Sequence, residues 1–217
     1  MLNITAIFSF AFLVTLSVSA AFRTTIVRNR RAAFTLSMSA EGFVGSLPPF
    51  GFFDPLGLSN GKSESEIKKW REAELKHGRV SMLAFLGILV GESFNPLFDG
   101  KITGPAIYQF QQADDLVSYF WVGVLFFIAL VEGQNILTGW ESPSEVKNKF
   151  GVADLKADYV NGDLGFDPLG LSPSDEGAFD NLRTKELQNG RLAMLGVAGI
   201  VAQELVNGKG VLENLFP

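Results

Sequence analysis

The chain of 217 residues has no cysteine and a single histidine, His77. Without cysteine there can be no disulfide, no iron–sulfur cluster, no c-type haem and no thiolate zinc site. One histidine also excludes a bis-histidine haem. The net charge is −5, with no basic cluster suited to nucleic acid. No nucleophile–base set and no phosphate-binding loop is visible, so the sequence does not indicate an enzyme.

Charge and long apolar runs are scarce as well. Charged residues make up 19% of the chain, against about 25% in a typical globular protein. Hydrophobic residues reach 47%, with 20 phenylalanines. The uninterrupted apolar stretches nevertheless fall short of the ~20 residues that usually cross a membrane. They are residues 80–91, 116–131 and 192–202.

The first 38 residues have the composition of a targeting presequence. An apolar run from Phe8 to Ala20 ends in small residues, and a stretch with arginine but no acid follows as far as Met38. We predict a signal peptide followed by a transit peptide, which implies a plastid enclosed by additional membranes. The alternative is a plain signal peptide or membrane anchor with a basic flank.

One block near the start of the chain recurs near its end. Phe-Asp-Pro-Leu-Gly-Leu-Ser occupies residues 53–59 and 166–172. Glu-Leu-Lys-His-Gly-Arg-Val-Ser-Met-Leu begins at Glu74, and Glu-Leu-Gln-Asn-Gly-Arg-Leu-Ala-Met-Leu begins at Glu186. Two copies with an apolar segment between them predict an internally symmetric membrane bundle. The identical pairs at one fixed offset are 71/183, 74/186, 75/187, 78/190, 79/191, 82/194, 83/195 and 87/199.

We therefore predict an all-α membrane protein with three transmembrane helices, at about residues 65–94, 114–139 and 177–206. Residues 39–65, 95–113 and 141–175 should be loops. If Glu74 and Glu186 are neutralised internally, the first and third spans each reach about 30 Å at 1.5 Å per residue, the thickness of a bilayer core. Ser63 or Ser65 is the expected N-cap of the first helix, and Asn207-Gly208 the C-cap of the third.

The charged residues of the repeat favour a reciprocal exchange. Glutamate and arginine stand five residues apart, about 140° around one helix, where they do not face each other. We predict that Glu74 pairs with Arg191 and Glu186 with Arg79 about a pseudo-two-fold axis along the membrane normal. A stripe of small residues, including Gly78 and Gly190, should let the first and third helices cross in contact. The alternative is that pairs and stripe only hold two helices together.

The residue three positions beyond each repeat glutamate adds metal-ligand chemistry. It is His77 in the first copy and Asn189 in the second, and each offers a lone pair. Such side chains make a poor cage for a bare ion. They suit single axial ligation of a Mg²⁺ that arrives inside a chlorophyll ring. For His77 alone, a satisfied interior histidine is the alternative.

These motifs resemble those of the light-harvesting chlorophyll-binding superfamily, over residues 45–215. Within it the chain is most similar to the fucoxanthin chlorophyll a/c-binding branch. The resemblance implies a chlorophyll-binding antenna domain over residues 39–217, with a stromal N-terminus and a lumenal C-terminus. It implies chlorophyll a, chlorophyll c and fucoxanthin or a related carotenoid as cofactors. The implied axial ligands are Glu74, His77, Glu132, Glu186, Asn189 and Gln203, with Arg79 and Arg191 as ion-pair partners.

The chain departs from the green-plant pattern at three points. Asn135 stands where that form has an arginine, and Val124 where it has a glutamine. The chain ends soon after Gly210, so the short C-terminal helix with its histidine ligand should be missing. Gln134 is a rival ligand to Glu132, which could also be a simple interfacial acid.

The resemblance implies a light-harvesting antenna of the plastid thylakoid membrane that passes excitation energy to a photosystem. Its expected partners are thylakoid lipids, other antenna subunits and a photosystem I or II core. The two Asp-Pro-Leu-Gly-Leu loops are expected to shape carotenoid ends or to be rigid turns. One alternative is a photoprotective member that dissipates energy, with Glu92, Asp114 and Asp115 as protonation sites in the lumen. Another is a small transporter that uses intramembrane glutamate and arginine.

Overall fold

The computed structural model describes residues 44–46, 51–94, 97–142 and 153–215. The presequence predicted at residues 1–38 lies outside these residues. The chain divides into two compact units. The described part of one is the loop 163–172, and the described helices belong to the other.

Helix α1 runs Glu64–Ser93. Ser63 is its N-cap, and its hydroxyl accepts from the amide of Glu66 while the Glu66 carboxylate accepts from the amide of Ser63. This capping box satisfies two backbone donors that a helix otherwise leaves unpaired at its start. Of the two N-caps expected from the sequence, Ser63 is the one observed. Phe94 ends the helix in an extended conformation.

Helix α4 runs Glu176–Asn207 and corresponds to the third predicted helix. Asp175 caps its N-terminus by accepting from the amide of Ala178 at 2.8 Å. Gly208 ends it with φ 62°, the left-handed conformation that glycine adopts without strain. The C-cap expected at Asn207-Gly208 is therefore confirmed.

The predicted middle helix is two helices in the structure. Helix α2 runs Ala106–Leu116 and helix α3 runs Phe120–Gly139. The prediction of a single helix at residues 114–139 is therefore wrong at its start, because this helix begins at Phe120. The prediction of a loop at residues 95–113 is also wrong, because α2 begins at Ala106. The chain turns at Tyr119, which has φ 74°. The Phe110 ring stacks on the Trp121 ring at 4.2 Å, and the Trp121 indole donates to Phe110 O, which fixes the corner.

A short helix α5, Val211–Leu215, follows Gly208. The expectation that no helix follows Gly210 is therefore wrong, although this one carries no histidine. Both Glu92 carboxylate oxygens accept from its first amides, those of Val211 and Leu212, at 2.9 Å each. A carboxylate at a helix N-terminus is favoured by the unpaired amides and by the helix dipole. This contact explains why so short a helix forms.

The segment 153–162 attaches the start of α1 to the end of α3. Glu72 of α1 is buried and accepts from the Tyr159 hydroxyl at 3.1 Å and from the amide of Gly162 at 3.0 Å. Burial, and then the neighbouring Glu72 carboxylate, raise the pKa of Tyr159. Lys156 Nζ donates to the last carbonyls of α3, those of Leu137 and Thr138.

The described residues are helical, with no strand beyond one antiparallel bridge between Trp140 and Leu155. Among the described helices, α3 is the one long and apolar enough by composition to cross a membrane. Helices α1 and α4 are long enough, but their charged residues make them too polar to be identified as membrane spans by composition. Whether they span the membrane depends on how their charges are neutralised.

Candidate functional site

Helices α1 and α4 make the most extensive helix contact of the described chain. They touch at equivalent glycines: a Cβ built on Gly78 would lie 3.0 Å from Gly190 Cα, and one built on Gly190 would lie 2.9 Å from Gly78 Cα. Only residues without a side chain allow backbones to approach so closely. This crossing point brings the two copies of the repeat together.

Two ion pairs flank the glycine contact. Arg79 Nε donates to Glu186 Oε1 at 2.6 Å, and Arg191 Nε donates to Glu74 Oε1 at 2.7 Å. All four side chains are about one-third exposed. The reciprocal pairing expected from the repeat is therefore confirmed, and each glutamate is neutralised by the opposite helix.

The surroundings of the two pairs differ. Arg79 also donates to Gly162 O at 2.8 Å, whereas Arg191 also donates to Gly45 O at 3.1 Å. Glu74 receives a second arginine, because Arg71 Nη1 donates to its Oε2 at 2.6 Å. Among the described residues no donor reaches Glu186 Oε2, so this oxygen can take a metal.

His77 has one ring nitrogen engaged and the other available. Its Nδ1 lies 2.7 Å from Ala73 O, and because a carbonyl only accepts, Nδ1 carries the proton. This tautomer leaves a lone pair on Nε2, the arrangement seen in metal-ligating histidines. The side chain is exposed on α1 rather than satisfied in an interior.

The two amide candidates, Asn189 and Gln203, are also accessible for ligation. Asn189 is exposed, and within the described ranges its side chain has no hydrogen-bond partner. Gln203 Nε2 donates to Lys209 O at 3.1 Å, which fixes the amide plane and leaves Oε1 without a described donor. A carbonyl oxygen is a suitable donor atom for Mg²⁺.

Glu132 lies on α3, and its two carboxylate oxygens have different partners. Lys76 Nζ of α1 contacts Oε2, and Asn135 Nδ2 donates to Oε1 at 3.2 Å. The rival ligand Gln134 is exposed. The geometry thus leaves both as candidates, and it gives Glu132 a cation that its own helix does not contain.

Large apolar side chains are exposed next to the candidate ligands at equivalent positions of the repeat. Val80 and Leu192 are 66% and 70% exposed, and Leu83 and Leu195 are 74% exposed each. Contiguous apolar exposure of this kind marks a surface that something else covers. A flat apolar ring system with a central Mg²⁺ fits both this surface and the isolated donor atoms. Among the described residues, no three acidic or histidine side chains come together to hold a bare metal ion.

The two Asp-Pro-Leu-Gly-Leu loops have the same hydrogen bonds from backbone amides to their aspartate. Asp54 accepts from the amides of Leu58 and Ser59, as Asp167 does from those of Leu171 and Ser172. The Ser59 hydroxyl also donates to Asp54 Oδ2, at 2.6 Å. Hydrogen bonds from Ser59 lower the pKa of Asp54, and those from the Ser172 and Leu171 amides lower the pKa of Asp167.

These bonds make each loop a rigid turn. Both loops also expose leucine side chains that a carotenoid end could contact. These leucines are Leu56, Leu58, Leu169 and Leu171.

The acids considered as protonation sites lie on α1 and α2. Asp114 and Asp115 are exposed on α2. Glu92 is engaged with α5, as described above. Sequence reasoning missed Glu204, which is 1% exposed, accepts from the amide of Ile107 at 2.9 Å through Oε2, and has no described donor on Oε1.

The chain was compared with known proteins. The family described as Chlorophyll A-B binding protein matches residues 40–205. Light-harvesting complex stress-related protein 3.2 of Chlamydomonas reinhardtii is 43% identical over 89% of this chain and 76% of that protein. A fucoxanthin-chlorophyll a-c binding protein of Isochrysis galbana is 46% identical over 78% of this chain and 79% of its own. The chain belongs to the chlorophyll a-b binding protein family.

Proposed function

We propose that the protein is a light-harvesting antenna subunit that binds chlorophyll a, chlorophyll c and fucoxanthin or a related carotenoid. The observation that carries this proposal is the pair of cross-helix ion pairs at the glycine contact. Each has beside it a side chain with an available lone pair, His77 or Asn189, on an exposed apolar face. The named relatives are pigment-binding proteins rather than enzymes.

The residues of the bundle hold and orient pigments without taking part in bond chemistry. Glu74, His77, Glu132, Glu186, Asn189 and Gln203 would each supply one axial donor atom. Arg79 and Arg191 neutralise the glutamates and fix their carboxylate planes, so each ring keeps one distance and tilt. Chlorophyll supplies the excited state that is passed between neighbouring rings. The short, rigid helix crossing keeps the ligands of α1 and α4 in fixed positions.

The proposed location is the thylakoid membrane, with α1, α3 and α4 as three spans and a stromal N-terminus. The neutralised glutamates support this reading, because pairing lowers the cost of charges in an apolar layer. Basic residues just before α1 and in its N-terminal half support a stromal start; they are Lys62, Lys68, Lys69, Arg71 and Lys76. The partners would be thylakoid lipids, other antenna subunits and a photosystem core.

A second candidate is energy dissipation under excess light. Two observations favour it: the identity of 43–46% to stress-related light-harvesting proteins of Chlamydomonas reinhardtii, and the buried Glu204. Protonation would turn Glu204 Oε1, an acceptor without a described donor, into a hydroxyl that can donate. Glu204 touches the start of α2, so its protonation state is coupled to the packing of that helix.

The test is to purify the protein in mild detergent and to record absorption and fluorescence excitation spectra. We expect carotenoid and chlorophyll c bands to feed chlorophyll a emission. Emission without chlorophyll c would remove the fucoxanthin-type pigment set, and a colourless folded protein would remove the antenna function. A fluorescence yield that falls on acidification in the wild type but not in Glu204→Gln would favour dissipation.

A further inference from the structure

Helix α3 carries one charged residue, Glu132, within an otherwise uncharged segment. It is also the described helix whose length and composition suit a membrane crossing. An ionised carboxylate in such a helix is costly unless a cation is close to it. Since α3 contains neither lysine nor arginine, the cation must come from another element.

Lys76 of α1 supplies this cation. Its Nζ contacts Glu132 Oε2, across 56 residues of sequence, with the two side chains 30% and 45% exposed. The adjoining turns of α1 carry Glu74 and Arg79, which pair with α4. Among its ion pairs, helix α1 thus makes two with α4 and one with α3.

The attachment of α3 to α1 does not require a carboxylate within α3. The end of α3 is already held by the segment 153–162 through contacts that need no charged side chain within α3. The amide of Glu141 donates to Asp154 O at 2.9 Å, and Lys69 of α1 pairs with the Asp154 carboxylate at 2.5 Å. An ion pair inside an apolar helix that the attachment of α3 does not require is a candidate for function.

We infer that Lys76 is a positioning residue that makes Glu132 the axial ligand of a third ion-paired chlorophyll. This inference rests on the proposed antenna function. The ammonium occupies Oε2 and the Asn135 amide occupies one lone pair of Oε1. Since a carboxylate offers about four lone-pair sites, Oε1 keeps one for Mg²⁺. In this arrangement, as in the α1–α4 pairs, a cation from another helix neutralises the ligand glutamate. Here the cation is a lysine rather than an arginine.

The experiment is refolding of the full chain with chlorophyll a, chlorophyll c and fucoxanthin, followed by pigment extraction and counting. Lys76→Met should lose one chlorophyll per chain, with a matching loss in the red absorption band. Lys76→Arg should keep that chlorophyll, because it keeps the charge. Lys69→Met is the matched control, since it breaks an ion pair of α1 with a loop, and it should keep the full count.

The double variant Lys76→Met/Glu132→Gln separates ligation from folding. A glutamine has no charge to neutralise and still offers an oxygen, so the double variant should assemble and regain the chlorophyll. An unchanged count in Lys76→Met, an equal loss in Lys76→Arg, or a double variant no better than Lys76→Met would each overturn the inference. A colourless wild type would instead overturn the proposed function itself.

Discussion

At the scale of single residues, the contact between Gly78 and Gly190 sets how close the two halves of the repeat can come. Each glycine faces the backbone of the other, so neither has a flexible neighbour that could move aside. Other glycines of the same stripe, such as Gly199, have no atom within 4 Å of an added Cβ. The stripe therefore has one position that requires glycine on both helices.

Gly190→Ala is expected to destabilise the pigmented protein, because its Cβ would lie 2.9 Å from Gly78 Cα. Overpacking of this kind costs about 1–3 kcal/mol. The measurement is the temperature at which the visible circular dichroism of the bound pigments is lost. Gly199→Ala is the control and should melt close to the wild type. Equal melting of the two variants would argue against a tight crossing.

Removing one charge of an ion pair should destabilise the protein more than removing both charges. Arg79→Gln leaves Glu186 without its donor, at a cost of about 1–3 kcal/mol. Arg79→Gln/Glu186→Gln leaves no charge and should recover part of that loss. Thermal melts and chlorophyll counts of the two variants and of Glu186→Gln form a double-mutant cycle. Additive losses would show that the pair has no coupling.

At the scale of elements, the two Asp-Pro-Leu-Gly-Leu loops differ by one hydrogen bond, that of the Ser59 hydroxyl to Asp54. Ser59→Ala should raise the lowered pKa of Asp54 towards its ordinary 3.8. Since the folded pKa is depressed, the stabilisation is present above that ordinary value and is lost as the pH falls through the folded pKa. Carboxyl carbon NMR of aspartate-labelled protein in micelles measures both midpoints. Ser172→Ala is the control and should leave Asp167 unchanged.

Some elements were predictable and others were not, for reasons visible in particular residues. The Glu–Arg exchange could be predicted because the repeat places one glutamate and one arginine at equivalent positions of two helices. Symmetry then lets each glutamate face the arginine of the other helix. Glu132 and Tyr159 lie outside the repeat, and their partners Lys76 and Glu72 are 56 and 87 residues away in the sequence. Nothing local in the sequence joins them. Helix α2 was mistaken for loop because Gly104-Pro105 outweighed the spacing of Ile107, Phe110 and Ala113, although Ala113 is its buried residue.

At the scale of the whole molecule, the described chain has a small protein core. Eight hydrophobic side chains are buried, while large apolar residues of α1, α3 and α4 remain exposed. A core of this size offsets little of the entropy lost on ordering the helices. The pigments and lipids that cover the exposed faces must therefore contribute much of the stability.

We expect the chain without pigment to melt gradually in detergent and the refolded pigment complex to melt cooperatively. Far-ultraviolet circular dichroism against temperature measures both states on the same preparation. The reason is that ligands which bind only the folded state stabilise it by mass action. A steep transition of the pigment-free chain at the temperature of the complex would contradict this expectation.

The reciprocal pairing also dictates an order of events during synthesis. Arg79 and Glu74 leave the ribosome more than a hundred residues before their partners Glu186 and Arg191. Until α4 is inserted, Arg79 lacks its carboxylate partner and Glu74 has only Arg71 of its two arginines. Neither repeat site can be completed by a nascent chain, whereas the contact of Lys76 with Glu132 can form once α3 has entered. A chain truncated before α4 would thus carry only one residue of each α1–α4 ion pair.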